Sequence, residues 1–258
     1  MIGAVIFKMD GVIFDIDPKI INNLNKKSEV RLMLILLDTA NLEQIKKFND
    51  SFPIEGVTTN PTLISNENKD FFKILKDIRD IISEEKMIHV QTVGTTSEEI
   101  VKEAEYLNKE IGGNLYIKVP VTPDGIKAIM ILEQKGIKTT ATAVFTPMQA
   151  LVAAQAGADF VAPYVNRLDN IAGDGLKVVG EIAQIFNLYK LNTKVLAASF
   201  KNVEQVHKAA LSGVEFVTVS PEIIGKLLYH PLTNLSVDQF IKDWEGVYGH
   251  GKRTDNLK

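Results

Sequence analysis

The sequence has no cysteine among its 258 residues. This absence excludes disulfide bonds, thiolate nucleophiles and cysteine-ligated metal sites, and it agrees with a reducing cytoplasm. Neither sign of charge predominates, since 32 acidic residues stand against 29 basic ones for a net charge of −3. Such a balance favours neither nucleic acid nor a membrane surface as a partner. We therefore expect a cytoplasmic protein that binds neither.

The sequence also lacks an apolar run long enough to span a membrane. Its apolar beginning is interrupted by Lys8 and Asp10, and no basic segment precedes it, so we expect neither a signal peptide nor a transmembrane helix. No G-x-G-x-x-G or G-x-x-x-x-G-K-[ST] motif follows the first strand of the main domain, and the four histidines have no metal-binding spacing. We therefore expect no nucleotide, no metal and no cofactor.

The first seventeen residues carry a resemblance of their own. Residues 3–15, GAVIFKMDGVIFD, resemble the opening strand and loop of haloacid-dehalogenase-type phosphatases, whose motif is an apolar run followed by Asp-x-Asp-Gly. Lys8 stands in place of the first aspartate, and a lysine can neither form an acyl phosphate nor hold Mg²⁺. We interpret residues 1–31 as an N-terminal extension, with a helix or linker over 19–31, ahead of a main domain over 32–258.

The main domain alternates short β-rich runs with longer amphipathic stretches. The predicted strands are 34–38, 56–59, 88–92, 115–119, 139–144, 160–164, 194–199 and 216–219. The predicted helices are 42–48, 71–82, 97–108, 125–134, 147–156, 176–188, 203–211 and 221–228. Eight strand–helix units with short connections predict an α/β fold, the (β/α)₈ or TIM barrel. A ninth helix over 236–248, with an apolar stripe around Trp244, must cover either its own barrel or a neighbour's.

One predicted strand has a lysine at its centre. Residues 114–122, NLYIKVPVT, place Leu115, Ile117 and Val119 on one face and Lys118 on the other. A parallel strand covered on both faces leaves an ammonium little water, and burial favours the neutral amine. Lys118 is therefore a candidate nucleophile. The alternative is a structural lysine whose stem reaches solvent or whose charge pairs with a carboxylate.

Polar side chains gather at the carboxyl ends of the predicted strands, where barrel enzymes place their chemistry. They are Asp38, Thr58, Thr59, Asn60, Gln91, Lys118, Thr142, Tyr164, Arg167 and Ser199. Two small residues, Ala162 and Ala197, are expected to point inward beside them. A purely structural barrel does not require a mid-strand lysine within such a set, so we predict an active site. For Arg167 the alternative is an ion pair with Asp169 or Asp174.

Six segments resemble the transaldolase family in order and spacing. They are LLDTA, EGVTTNPTLI, YIKVPVTPDGIKAI, GIKTTATAVF, AGADFVAPYVNRLD and KVLAASFKN. The likeness covers residues 32–249 and is closer to the fructose-6-phosphate aldolase branch. It implies a Schiff base on Lys118 and an acid–base role for Tyr164.

The same resemblance implies a role for each remaining site residue. Asp38 and Asn60 would hold hydroxyl groups of the donor sugar and help proton transfer, Asp38 as a catalytic residue, and Thr58 belongs with Asn60 to the substrate-binding set. Gln91 and Thr142 position a water that relays protons. Arg167 and Ser199 bind the phosphate of a phosphorylated sugar.

Two positions separate the branches of the resembled family. Transaldolases generally have Glu where this chain has Gln91 and Phe where it has Tyr164. The resemblance thus implies a class I aldolase that reversibly cleaves fructose 6-phosphate to dihydroxyacetone and glyceraldehyde 3-phosphate. It further implies a homo-oligomer, a decamer of two rings. The alternatives are a transaldolase that transfers a dihydroxyacetone unit between sugar phosphates, and a non-catalytic barrel whose phosphatase-like head is the functional part.

Overall fold

A computed structural model describes residues 7–9, 12–14 and 33–257. The chain divides into two compact units, Met1–Leu32 and Met33–Lys258. In the first unit, strands β1 (Phe7–Met9) and β2 (Val12–Phe14) pair antiparallel. The expected helix or linker over 19–31, and Asp10 of the phosphatase-like motif, lie outside the described residues.

The second unit is a closed barrel of eight parallel strands. They are β3 (Leu34–Asp38), β4 (Ile54–Thr58), β5 (Met87–Gln91), β6 (Leu115–Pro120), β7 (Thr139–Val144), β8 (Phe160–Pro163), β9 (Lys194–Ala197) and β10 (Phe216–Val219). They pair in chain order, and β10 returns to pair with β3. The predicted (β/α)₈ barrel is confirmed.

Eleven helices lie in the described part of the chain. They are α1 (Leu42–Ser51), α2 (Pro61–Asn66), α3 (Phe71–Ile82), α4 (Ser97–Ile111), α5 (Pro123–Gln134), α6 (Pro147–Gln155), α7 (Val165–Asp169), α8 (Gly175–Tyr189), α9 (Val203–Leu211), α10 (Pro221–Leu227) and α11 (Pro231–Tyr248). Helices α2 and α7 were not predicted, because six and five residues are too few for a helical period to show.

Local capping sets where several helices begin and end. Thr96 and Glu99 form a capping box at the start of α4, and the Thr122 side chain accepts from the Gly125 N–H, with Pro123 opening α5. Just past the ends of α5, α6 and α9 stand Gly136, Gly157 and Gly213, all with positive φ. The threonine caps place the N-termini of α4 and α5 a few residues after the carboxyl ends of β5 and β6.

Strand alternation divides the apolar residues between two cores. On β6, Ile117 and Val119 pack between strands and helices, whereas Tyr116 and Lys118 face the barrel interior. The interior floor is a separate cluster formed by Leu36, Met87, Phe160 and Leu196, with Tyr116 and Phe216 packed against it. The predicted assignment of faces on this strand therefore agrees with the structure.

The expectation for Ala197 was wrong. Leu196 belongs to the interior cluster, so the period of two turns Ala197 outward into the helix-facing core. Ala198 instead lines the pocket, together with Ala162 as expected.

Helix α11 has no buried residue within this chain. It starts at Pro231, five residues before the predicted start, because the His230 side chain accepts from the Leu232 N–H and caps the extra turn. Its exposed apolar residues are Leu232, Leu235, Val237, Phe240, Ile241, Val247 and Tyr248. The helix thus does not cover its own barrel, one of the two possibilities left open by the sequence.

Candidate active site

The carboxyl ends of the barrel strands enclose a pocket of about 110 Å³. Seven residues singled out in the sequence line it, namely Asp38, Thr58, Asn60, Lys118, Tyr164, Arg167 and Ser199. They come from five different strands or strand ends, so the pocket exists only once the barrel has closed. Lysine, hydroxyl, carboxylate and guanidinium groups thus share one small cavity.

Lys118 is buried at the centre of this pocket. Its residue is 6% exposed, and its Nζ donates to the main-chain carbonyl of Thr59 at 2.6 Å. Burial lowers the pKa of the Lys118 ammonium below its ordinary value, and the negative charge of Asp38 opposes this shift. None of the described carboxylates forms an ion pair with Lys118. The side chain is therefore not a solvated surface lysine but an amine whose neutral form is favoured by its surroundings.

Asp38 is held by a short chain of hydroxyl groups. The Thr58 hydroxyl donates to Asp38 Oδ1 at 2.7 Å, and the Thr58 and Thr218 hydroxyls lie 2.6 Å apart. Since Thr58 has one hydroxyl proton, Thr218 must donate to Thr58 when Thr58 donates to Asp38. Thr218 was not among the residues predicted from the sequence. Its only local signal is a single threonine near the end of an otherwise apolar strand.

Tyr164 is oriented by three neighbours. Its hydroxyl lies 3.0 Å from the Thr142 hydroxyl, and its ring meets the edge of Phe145 at 5.5 Å. The Arg167 guanidinium lies over the ring at 4.9 Å. Thr142 sits at an irregularity of β7, where the register shifts between Ala141 and Val144. Thr142 lies two residues beyond Thr140, whose hydroxyl meets the buried ring of His89, so the period of two directs both threonines to the barrel interior.

Arg167 does not form the ion pairs considered as an alternative. Asp169 accepts from the Gly175 N–H and from Gln205 Nε2, and Asp174 caps α8 through the Lys177 N–H. Arg167 makes no salt bridge within the described residues and lines the pocket instead.

Ser199 faces the same pocket from a strained position. Its φ is +62°, in the left-handed region that non-glycine residues rarely adopt. Its carbonyl accepts from the Asn166 N–H at 2.8 Å, which ties the end of β9 to the first turn of α7. Because Arg167 lies on α7, this bond brings serine and arginine to one side of the pocket.

Gln91 and Asn60 occupy the boundary with a second cavity. Gln91 is the register partner of Lys118, but it lines an adjacent groove of about 360 Å³ rather than the lysine pocket. Asn60 lines both cavities, and its side-chain oxygen caps α2 by accepting from the Leu63 N–H. The groove is largely apolar and contains no amine, so the smaller pocket is the candidate active site.

His89 lies below Lys118 in the barrel interior, and the sequence did not predict it as a site residue. It is fully buried, with Nδ1 2.8 Å from the Thr140 hydroxyl and its ring stacked on Tyr116 at 4.7 Å. Its Nε2 has no partner among the described residues. Burial lowers the pKa of His89 well below its ordinary value, and the charge of Lys118 acts in the same direction. The His89 ring is therefore a neutral group below the pocket, and it does not act as a competing base there.

Because His89 is buried in its neutral form, the stability of the folded protein should depend on pH. The unfolded chain protonates His89 near its ordinary pKa of 6.5, whereas the folded chain resists protonation, so the unfolded state binds more protons as the pH falls below 6.5. We expect the wild type to lose up to about 1.4 kcal/mol of unfolding free energy for each pH unit in that range. His89→Phe should keep the stacking and reduce this loss.

The measurement is chemical denaturation of both proteins at about pH 7 and about pH 5.5. His207→Phe is the matched control, because the His207 side chain is 62% exposed. Equal acid slopes for wild type and His89→Phe would contradict a buried neutral histidine.

Among the described residues, no group of three or more His, Asp or Glu side chains is arranged to hold a metal ion. None of the helices described is long and apolar enough to cross a membrane.

The fold and pocket define a (β/α)₈ barrel with a buried strand lysine among hydroxyl groups, and comparison with known proteins assigns that class to a family. The profile of the family described as Transaldolase/Fructose-6-phosphate aldolase matches residues 35–253. The chain is 41% identical over 215 residues to a probable transaldolase of Aquifex aeolicus (strain VF5), covering 83% of this chain and 98% of that protein.

Two further relatives match over the same length. A probable transaldolase of Clostridioides difficile (strain 630) is 42% identical over 215 residues, covering 83% of this chain and 98% of its own. A probable transaldolase of Dictyoglomus turgidum (strain DSM 6724 / Z-1310) is 44% identical over 215 residues, covering 83% of this chain and 99% of that protein. The chain belongs to the transaldolase/fructose-6-phosphate aldolase family, as the resemblance in its sequence predicted.

Proposed function

We propose that this protein is a class I aldolase that reversibly cleaves fructose 6-phosphate to dihydroxyacetone and glyceraldehyde 3-phosphate. The observation that carries the proposal is the buried Lys118 amine, with its lowered pKa, in one pocket with the phenol of Tyr164. Burial lowers the pKa of Lys118 and so increases the share of the amine that is neutral and nucleophilic. The phenol supplies a proton donor and acceptor at the same place.

The first half of the reaction joins the lysine to the substrate ketone. The Nζ lone pair attacks C2, the carbonyl oxygen takes up a proton, and the resulting carbinolamine loses water to give an iminium. Asp38 and the amide of Asn60 are placed at the pocket wall to hold the donor hydroxyls during this step. The positive iminium can then accept the electron pair of the C3–C4 bond.

The second half breaks the carbon–carbon bond. A base removes the proton of the C4 hydroxyl, the C3–C4 electron pair moves to the iminium, and glyceraldehyde 3-phosphate leaves an enamine on Lys118. Tyr164, hydrogen-bonded to Thr142 at 3.0 Å, serves as this acid–base group, working through a water that Gln91 helps to position. Protonation of the enamine at C3 and hydrolysis then release dihydroxyacetone and restore the amine.

Arg167 and Ser199 are proposed to bind the phosphate. A guanidinium matches the geometry of phosphate oxygens, and neither described acidic neighbour neutralises Arg167. The phosphate would then lie against the later strands of the barrel, the usual place for phosphate in this fold.

Replacing Arg167 by leucine should weaken binding of phosphorylated substrates in particular. Loss of one charge-assisted contact costs about 1.5–3 kcal/mol, so the KM for fructose 6-phosphate should rise roughly 10- to 100-fold. Borohydride trapping of unphosphorylated dihydroxyacetone on Lys118 should change far less. Arg253→Leu, which removes an exposed arginine, serves as the control. An equal loss with both ligands would contradict a phosphate role for Arg167.

The activity itself is tested by supplying fructose 6-phosphate without any acceptor aldehyde. We expect free dihydroxyacetone and glyceraldehyde 3-phosphate to appear in equal amounts. Borohydride should trap dihydroxyacetone on the peptide that contains Lys118. If the protein forms no adduct on that peptide, the Schiff-base mechanism is wrong, and a non-catalytic barrel becomes the better explanation.

A transaldolase is the second candidate, because the three relatives above are named probable transaldolases. Such an enzyme keeps the enamine until an acceptor sugar phosphate arrives. Gln91 and Tyr164 favour the aldolase, since a phenol and its water can protonate the enamine, whereas transaldolases of the resembled family have Glu and Phe there. Exchange of dihydroxyacetone units between sugar phosphates without release of free dihydroxyacetone would decide for the transaldolase.

We further propose that residues 32–258 act as the catalytic domain, with residues 1–31 as an extension, and that the protein is a homo-oligomer. The exposed apolar face of α11 supports an assembly, because isolated monomers rarely leave so large a set of apolar side chains in water. The decamer implied by the resemblance is tested by analytical ultracentrifugation.

A further inference from the structure

The acceptor that holds the Lys118 amine is a main-chain carbonyl. Nζ donates to Thr59 O at 2.6 Å, and Thr59 itself is fully buried. Thr59 directly follows β4, so this contact joins the end of one barrel strand to the lysine two strands away. A carbonyl accepts hydrogen bonds and donates none, so it cannot bind the lone pair of a neutral amine.

The peptide that carries this carbonyl is fixed from both sides. The Thr59 N–H and hydroxyl both donate to the carbonyl of His89 on β5, at 2.9 and 3.1 Å. On the other side, the Asn60 side chain caps α2 through the Leu63 N–H, and the Asn60 carbonyl accepts from the Ile64 N–H. The direction of the Thr59 carbonyl is therefore set by β5 and α2 together.

A second threonine holds the lysine's own backbone in the same way. Thr92 directly follows β5, and its N–H and hydroxyl lie 3.1 and 3.4 Å from the carbonyl of Lys118. Thr59 thus fixes the amine end of the lysine, and Thr92 fixes its main chain. Both contacts are made by a buried threonine at the first position after a strand.

We propose that Thr59 is a positioning residue for the amine of Lys118, its hydroxyl aligning a carbonyl that accepts an N–H from the free amine and from the iminium. The iminium part of this inference rests on the proposed function, whereas the contact with the free amine does not.

The chemistry of the Schiff base agrees with such an acceptor. A neutral amine uses one of its two N–H groups for the carbonyl and keeps its lone pair for attack on the ketone carbon. Condensation joins amine, ketone and one proton, releases one water, and leaves an iminium with a single N–H. That N–H can stay on the Thr59 carbonyl, which favours the protonated iminium and so preserves its electron-accepting character.

Thr59→Val tests the inference, because it keeps the branched shape and removes only the hydroxyl that donates to the His89 carbonyl. The His89 carbonyl still receives the N–H of residue 59, so no buried acceptor is left without a partner. The first readout is the rate of borohydride trapping of dihydroxyacetone on the Lys118 peptide. We expect the rate to fall roughly tenfold, because a misaligned nucleophile loses its approach geometry, and Thr59→Ser to restore it.

The second readout is the pH midpoint for acetylation of Lys118 in the absence of substrate. A carbonyl acceptor stabilises the ammonium more than the amine, so loosening it should move the midpoint to lower pH in Thr59→Val. A residue that only supported the fold would leave this midpoint unchanged.

Thr193→Val is the matched control. Thr193 is also buried, and its hydroxyl donates to the carbonyl of Ala158 at 2.8 Å, ahead of β9 at the opposite end of the barrel. Both readouts should match the wild type in this variant. A wild-type rate and midpoint in Thr59→Val, or an equal change in Thr193→Val, would overturn the inference.

A spectroscopic measurement on the free protein tests the contact without any variant of Thr59. With ¹³C-carbonyl threonine and ¹⁵N-asparagine, only Thr59–Asn60 and Thr233–Asn234 are labelled across a shared peptide bond. In Lys118→Met the Thr59 carbonyl shift should move, while Thr233 on the exposed helix α11 serves as reference. An unmoved Thr59 signal refutes the contact. Absence of trapping in a wild type that shows the contact refutes the proposed function alone.

Discussion

Lys118→Met is expected to abolish the cleavage of fructose 6-phosphate, with kcat falling more than about 10⁴-fold. Methionine has nearly the length of the lysine stem but no amine, so neither the carbinolamine nor the iminium can form. Without an iminium, the electron pair of the C3–C4 bond has no acceptor in the pocket. Release of dihydroxyacetone and borohydride trapping should both disappear.

The same variant should stay folded, because two effects on its stability oppose each other. Lys118 is 6% exposed and forms no ion pair within the described residues, so its charged form is disfavoured by burial, and an apolar side chain of similar volume removes that cost. Methionine also leaves the buried Thr59 carbonyl without its donor, so denaturant unfolding should show a free energy of unfolding within about 2 kcal/mol of wild type. Lys138→Met, at an exposed lysine over the Tyr116 ring, is the control. Residual cleavage by folded Lys118→Met above about a hundredth of wild type would contradict the mechanism.

Tyr164→Phe is expected to separate the two halves of the reaction. The ring contacts with Phe145 and Arg167 remain, while the hydroxyl that lies 3.0 Å from Thr142 is lost. Removal of an acid–base group costs roughly 10²- to 10⁴-fold, so release of dihydroxyacetone should fall by about that factor. Formation of the Schiff base depends on Lys118, so trapping by borohydride should stay within a few-fold of wild type.

Tyr164 also acts on the C4 hydroxyl, so the enamine should form more slowly in Tyr164→Phe, but once formed it lacks its proton donor and can still react with an added aldose phosphate. We therefore expect transfer of dihydroxyacetone units to suffer less than their release, which moves the variant towards transaldolase behaviour. Tyr189→Phe, at a tyrosine that is 64% exposed, should leave both activities unchanged. If Tyr164→Phe releases dihydroxyacetone at the wild-type rate, the acid–base group lies elsewhere.

The elements that were predicted well are those with a strong local cause. Strands β3, β7 and β10 have the predicted bounds, because each is a short β-rich run between turn residues. Helix α4 begins where its capping box requires. The short helices α2 and α7 were missed for the opposite reason, since each depends on a preceding strand end and on contacts made after the barrel closes.

The residues of the candidate site divide in the same way, into those with a local sequence signal and those that depend on the closed barrel. Seven of its residues could be named from the strand ends alone, because barrel geometry brings those ends to one face. Gln91 is the register partner of Lys118 and lines the adjacent groove, a placement that the sequence did not reveal. Thr218 and His89 were missed, because a lone threonine or histidine in an apolar strand has no local pattern that marks it as part of a site.

The sequence by itself determined the eight strand–helix units, the strand that bears Lys118 and the polar strand ends, since periodicity and capping act over a few neighbouring residues. Only the tertiary structure decided which of these groups meet. The carbonyl of Thr59 reaches an amine 59 residues further along the chain, and Thr142 reaches a phenol across a bulge. Such contacts depend on the register of neighbouring strands and on ring closure, because only these set the depth and direction of each side chain in the barrel.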